Sequence, residues 1–253
     1  MGAVPFALQL YTVRDHLAKD FVGTLPKVKA AGYDFVELAG LGGLTAKDCK
    51  KALNDAGLTP VSAHFGLKEV IESTDTVLET LETMELSLAA ISSANADSKE
   101  GWLALAHKMD EAGAIFHGRG VWLCYHNHAH EFEKQYDGQA ALDIMMDASR
   151  LEDLGIQLDI YWAKHGGVDP AEYITKRSGR IPMIHAKDMT ATEPHTFAEC
   201  GKGTQNWAAV FAAGAKSGIR WYIVEQDTCP GDPLESIKIS ADFMKTQQIP
   251  TVS

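Results

Sequence analysis

Short apolar runs in this chain repeatedly end in residues able to hold a cation or move a proton. Gln9, Glu37 and His64 each close such a run. Later runs lead into Tyr125–Phe132 (YHNHAHEF), Leu158–Trp162 (LDIYW), Ile184–Asp188 (IHAKD) and Val224–Asp227 (VEQD). Charges gathered where water is excluded need counter-charges, because desolvating them alone is costly. A divalent cation would supply one. Glu131, Asp159, His185 and Glu225 make a candidate ligand set of three carboxylates and one imidazole. Such a hard, oxygen-rich set suits one Mn²⁺ or Mg²⁺, with Zn²⁺ and Co²⁺ as alternatives, and leaves coordination positions for substrate oxygens. Taken singly, Asp159 also reads as a loop cap, His185 as a core histidine and Glu225 as a solvated strand end. Jointly these readings weaken, because the residues fall at the same end of successive apolar runs.

The elements that must position them follow from the periodicity. The apolar runs Pro5–Leu10, Phe35–Leu38, Pro60–His64, Leu88–Ser92, Val121–His126, Ile156–Ile160, Met183–Ala186 and Tyr222–Glu225 read as strands. They recur about every 31 residues, the length of one βα unit. Amphipathic stretches lie between them, including Leu25–Ala31, Ala46–Ala56, Thr74–Met84, Lys99–Ala112 and Trp207–Lys216. Gly32, Gly57 and Gly218 follow helical stretches and precede strands, as left-handed caps do. The alanine-rich Leu88–Ser92 carries the least distinctive strand signal. A doubly wound sheet would usually show a glycine fingerprint after its first strand, and Gln9–Asp15 contains no glycine. The expectation is an α/β fold, a single (β/α)8 TIM barrel over residues 1–253, with chemistry at the C-terminal strand ends.

Composition bounds the rest. With 45% apolar and 23% charged residues the chain is an ordinary globular sequence rather than a disordered one. Its formal net charge of −11 argues against nucleic-acid binding, which relies on clustered Lys and Arg. Cys49, Cys124, Cys200 and Cys229 form no CxxC pair and read as free thiols in a reducing compartment. No signal-peptide pattern or membrane-spanning run is visible, so a cytoplasmic protein without membrane contact is expected.

The segments YHNHAHEF, LDIYW, IHAKD and Trp221–Gln226 (WYIVEQ), with LQLYTVRD, FVEL and SAHFG earlier in the chain, resemble the sugar phosphate isomerase/epimerase family of xylose isomerase-like barrels. The resemblance spans nearly the whole sequence. It is specific for the superfamily and uninformative about substrate. It implies a single divalent metal held by Glu, Asp, His and Glu from the last four strands, which maps onto Asp159, His185 and Glu225. For the fifth strand it points to Glu131, although related epimerases carry their glutamate on the strand, near the position of His126. His126 or His128 therefore stand as alternatives for metal or substrate, and one histidine of the cluster is expected to be scaffolding.

The resemblance further implies an isomerase or epimerase of a sugar or keto-sugar. The metal polarises a carbonyl, the neighbouring C–H becomes acidic, and an enediolate forms. Glu131 and Glu225 would be the acid/base pair, while Lys187 and His64 hold or protonate substrate oxygens. Glu37, His126, His128 and Trp162 are assigned to substrate binding, although Glu37 could equally pair with a cation and Lys187 could equally be a salt bridge. The glycine-containing loop Cys200–Trp207 reads as a turn rather than a phosphate cradle. The same enolisation would serve a lyase or dehydratase acting on 3-keto-glycosides or inososes. A non-catalytic sugar-binding barrel is disfavoured by the complete ligand set, and a DNA-repair endonuclease by the acidic balance. Barrels of this kind often form homo-oligomers, but no unusually long apolar helix face identifies an interface.

Overall fold

The computed structural model describes residues 5–247. Eight parallel strands close into a barrel in simple sequential order. They are β1 (Phe6–Gln9), β2 (Phe35–Leu38), β3 (Thr59–Phe65), β4 (Leu88–Ile91), β5 (Trp122–His126), β6 (Leu154–Asp159), β7 (Met183–Ala186) and β8 (Trp221–Val224). The alanine-rich run does form β4, pairing with β5 from Leu88↔Trp122 to Ile91↔Tyr125. β6 ends at Asp159, and Ile160 already opens a helix, Ile160–His165.

Alternation along each strand sends every second side chain to the barrel axis. The lower interior is apolar, filled by Ala7, Val61, Leu88, Ala90, Cys124, Met183 and Ile223 over Phe35, Trp122 and Trp221. Phe35 and Trp221 meet edge to face, their ring centroids 4.9 Å apart. Space there is tight enough to require Gly155 on β6, since an added Cβ would lie 2.9 Å from Cys124 Sγ and 3.1 Å from the Trp122 ring. The upper interior, on the same alternation, is polar. A packed floor thus excludes water beneath the polar layer.

Helices wrap the outside and bury the other strand faces in the main core. Gly57 and Gly218 adopt φ of 70° and 82°, the left-handed conformation that turns a helix end back toward the next strand. Asp169 caps the helix Pro170–Lys176, accepting from the N–H groups of Ala171 and Glu172, with Pro170 in the first turn. The four cysteines are unpaired, and no helix among the described residues is long and apolar enough to cross a membrane.

One outer ion cluster gives the fold a pH signature. Asp143 on the helix Ala141–Asp147 receives Arg177 Nη2 at 2.6 Å, Lys176 Nζ at 2.7 Å and Tyr173 Oη at 3.0 Å. Partial burial opposes its ionisation, but the Lys176 and Arg177 hydrogen bonds win and hold its pKa below the usual value. A depressed carboxylate stabilises the fold above its unfolded-state pKa of ~3.9, and this is lost as pH falls through the folded value. In urea unfolding across pH 7 to 3, Asp143→Asn is expected to be less stable than wild type at neutral pH and to lose less stability on acidification. Parallel curves for the two proteins would refute the assignment.

Candidate metal and substrate site

Strand register brings the polar layer together. His126 lies beside Gln157, Asp159 beside His185, and His185 beside Ile223, two residues before Glu225. His126, Asp159, His185 and Glu225 are all buried, and one potential ligand atom from each lies within 4.8 Å of the others. His126 therefore stands where the sequence reading places Glu131.

The reason is where β5 ends. After His126 the chain turns into a short helix, His130–Glu133, and carries Glu131 away from this group. The Glu131 carboxylate accepts from Tyr125 Oη at 2.6 Å and from the His128 N–H at 2.7 Å, tying the loop back to its own strand. Burial raises its pKa, against the Tyr125 hydrogen bond. His130 bonds through Nε2 to the Ala94 carbonyl at 3.0 Å and is the scaffolding histidine of the cluster. Glu131→Gln is expected to cost about 1–3 kcal/mol of stability, because its amide offers one acceptor oxygen where Tyr125 Oη and the His128 N–H each now donate to a carboxylate oxygen. Its divalent-cation affinity should equal that of wild type. A calorimetric loss as large as that of Asp159→Asn would restore Glu131 as a ligand.

Asp159 divides its carboxylate between two tasks. Oδ1 accepts the Trp162 N–H at 3.0 Å and caps the following helix, so the loop-cap reading is correct for one oxygen. Oδ2 is buried without a well-aligned hydrogen bond, 2.9 Å from Lys187 Nζ and 3.8 Å from His126 Nε2. Burial raises the Asp159 pKa to about 6, with Lys187 and His185 opposing. Lys187 is itself buried, its ammonium 2.7 Å from Glu225 Oε2 and 2.8 Å from Asp227 Oδ1. Those carboxylates, with Asp159, outweigh desolvation and hold its pKa well above the ordinary lysine value. Glu225 is kept ionised in spite of burial, by Lys187 and His185.

His185 bridges two carboxylates, Nδ1 lying 2.7 Å from Glu225 Oε2 and Nε2 2.6 Å from Glu37 Oε2. Burial alone would lower its pKa; Glu225 and Glu37 instead raise it to about 10. His126 and His128 are driven the other way, chiefly by burial, His128 to about 4, so both are neutral imidazoles near pH 7. Glu37 is fully buried and ringed by donors from Gln9, Ser62, Gln157 and His185. It is absent from the cavity lining, so its placement opposes the substrate-contact assignment and agrees with pairing to a cationic partner.

A cavity of about 930 Å³ opens beside this group. Its lining includes His64, His126, His128, Lys187, Glu225 and Asp227 together with the apolar Phe65, Val77, Met84 and Leu86. Trp162 is not on this lining; it packs against His128, Tyr161 and Phe197 with ring centroids 4.9–5.7 Å apart. The loop after β7 is committed elsewhere. Asp188 accepts the N–H groups of Gly201, Gly203 and Gln205 and the Trp207 indole N–H, so these donors face a protein carboxylate rather than a phosphate.

Gln157, Ser62 and Asp227 are site residues that the sequence reading did not single out. The signal was present: Gln157 and Ser62 lie two positions from Asp159 and His64 on the same strand face, and Asp227 lies two positions past Glu225 in the segment after β8.

A family model for the xylose isomerase-like TIM barrel matches residues 25–247. The chain belongs to that family. Its members' fold recurs in a sugar phosphate isomerase/epimerase from Parabacteroides distasonis, at TM-score 0.85 and 22% identity, covering 100% of both chains. L-ribulose 3-epimerase superposes with TM-score 0.71 at 14% identity, covering 97% of this chain and 94% of the other. The IOLI protein, in a structure with a bound zinc atom, gives TM-score 0.72 at 15% identity over 95% and 96%. At these identities the likeness establishes the barrel alone. No curated protein matches the chain in sequence.

Proposed function

We propose that this barrel is a divalent-metal-dependent isomerase or epimerase of a sugar or keto-sugar, working through an enediolate. The supporting observation is the buried His126, Asp159, His185 and Glu225 group, set beside the large cavity. The donors fit a cation: two carboxylates and two imidazoles converge, and Asp159 Oδ2 is buried without a well-aligned partner. Mn²⁺ or Mg²⁺ suits the carboxylates, while two imidazoles favour Zn²⁺ or Co²⁺ more than the sequence reading did. When bound, the ion would polarise a substrate carbonyl and offset negative charge developing on its oxygen.

The protein's own groups do the rest. Glu225 is ionised and lines the cavity, so it takes the proton next to the carbonyl. Lys187, on the same wall, directs its three donors at Asp159, Glu225 and Asp227 and so holds these carboxylates in place, and His64 faces the cavity beside it. Glu131 is not among the residues lining the cavity, so this reading assigns proton transfer at carbon to Glu225 alone. Glu225 can return the proton to the adjacent carbon while the hydroxyl proton passes between the two substrate oxygens beside His64, so isomerisation fits an arrangement with one carboxylate base more simply than epimerisation.

Elimination from an O-substituted keto-sugar or an inosose is the second reading. It draws on the cavity, whose 930 Å³ lies near the top of the ~300–1,000 Å³ range for small-molecule sites and whose lining includes several apolar side chains. A panel of ketoses, 3-keto-glycosides and inososes, assayed with added Mn²⁺ in D₂O, tests both. Solvent deuterium in a rearranged product supports isomerisation; release of the substituent or water supports elimination. No turnover and no cation binding would refute the enzyme reading. The unpaired cysteines suit a reducing, cytoplasmic setting.

A further inference from the structure

We infer that Glu37 is a positioning residue that sets which ring nitrogen carries the hydrogen on both imidazole donors, His185 directly and His126 through Gln157. This rests on the metal-site reading above and extends it to the layer beneath.

The argument runs on hydrogen-bond polarity, because an ionised carboxylate only accepts. Gln9 Nε2 at 2.7 Å and His185 Nε2 at 2.6 Å approach Glu37 Oε2; Gln157 Nε2 at 2.6 Å and Ser62 Oγ approach Oε1. Gln9 is held in that orientation by its own Oε1, which accepts the Tyr11 N–H at 3.1 Å. His185 must therefore donate from Nε2. Its Nδ1, on the Glu225 side, is the nitrogen left to a cation.

Gln157 transmits the same constraint. Its amide must turn Nε2 toward Glu37, since the flipped form would set oxygen against oxygen. Gln157 Oε1 then faces His126 Nδ1 at 3.0 Å and His64 Nε2 at 2.6 Å, and both rings must donate to it. His126 is thus Nδ1–H, the tautomer that free imidazole side chains disfavour, and its lone pair sits on Nε2, toward Asp159 Oδ2. One carboxylate beneath the site thus leaves His126 Nε2 bare toward Asp159 and makes His185 Nδ1, which faces Glu225, the nitrogen that would give up its proton to a cation. Partners that orient metal-binding histidines in this way commonly control ~10–100-fold in affinity.

The test combines Mn²⁺ titration calorimetry with ¹⁵N NMR of the imidazoles, on wild type, Glu37→Gln and Gln157→Met, each checked for folding by circular dichroism. Wild type is expected to show His126 as Nδ1–H without metal, and His185 as Nε2–H when loaded with Zn²⁺. Glu37→Gln should lose about 10–100-fold in Mn²⁺ affinity and mix both tautomers. Gln157→Met should disturb His126 and His64 but not His185, and weaken Mn²⁺ less; it decides the matter if Glu37→Gln does not fold. A wild-type His126 in the Nε2–H form, or a folded Glu37→Gln with wild-type affinity, would overturn the inference. A wild type that binds neither Mn²⁺ nor Zn²⁺ would overturn the metal reading instead, and the His126 spectrum would still judge the relay.

Discussion

Replacing Glu225 with Gln is expected to lower turnover by about 10²–10⁴-fold, the usual contribution of a positioned general base. The substitution keeps the shape of the side chain at the end of β8 and removes only its capacity to take a proton and its charge. Lys187 and His185 keep that charge in place in the wild type, so the base is available throughout the neutral range. The barrel should stay folded, because its apolar floor and helical shell are untouched. Turnover and solvent deuterium exchange should fall together if proton removal is the step lost. A variant that keeps full activity would remove Glu225 from its role, and one that exchanges deuterium at the wild-type rate without product would move the defect to a later step.

Lys187→Met should be the most destabilising change at the site when no divalent ion is present. The ammonium is the buried counter-charge for Asp159, Glu225 and Asp227, at 2.9, 2.7 and 2.8 Å. Removing one partner of a buried ionic group costs about 3–5 kcal/mol, and here the loss falls chiefly on Asp159, which is fully buried, whereas Glu225 keeps His185 and Asp227 is partly exposed. Methionine fills similar space, which confines the loss mainly to charge. Adding Mn²⁺ should return part of the stability, since a cation held by Asp159 and Glu225 supplies the missing charge. Urea unfolding in EDTA and again with Mn²⁺ measures both effects. Unchanged stability in EDTA would show that the ammonium is not needed there; loss without Mn²⁺ recovery would contradict the metal site.

Much of the architecture was legible in the chain because it depends on local rules. Apolar runs separated by amphipathic stretches identified the eight strands, including the alanine-rich β4, and glycines such as Gly57 and Gly218 marked the turns between layers. Asp159, His185 and Glu225 were recognisable for the same reason: residues at equivalent strand ends of one barrel must meet at one mouth. Gln157 followed from period-two alternation along β6 and was overlooked because it belongs to no familiar motif.

What only the tertiary structure decided was the use of each polar group. Strand periodicity says which face a side chain occupies, but not where a strand stops or which way its loop turns. Those depend on contacts distant in sequence. His130 reaches across to the Ala94 carbonyl, and Tyr125 and the His128 N–H draw Glu131 inward, so His126 takes the fifth-strand place. Likewise Glu37 reads in sequence as one more acid at a strand end. It becomes the support of two histidines only when β2, β6 and β7 close around one axis and leave its carboxylate no other partners. The sequence by itself determined the barrel and which polar residues stand at its strand ends; three-dimensional closure determined which residues touch, because hydrogen bonds depend on distances that no local pattern encodes.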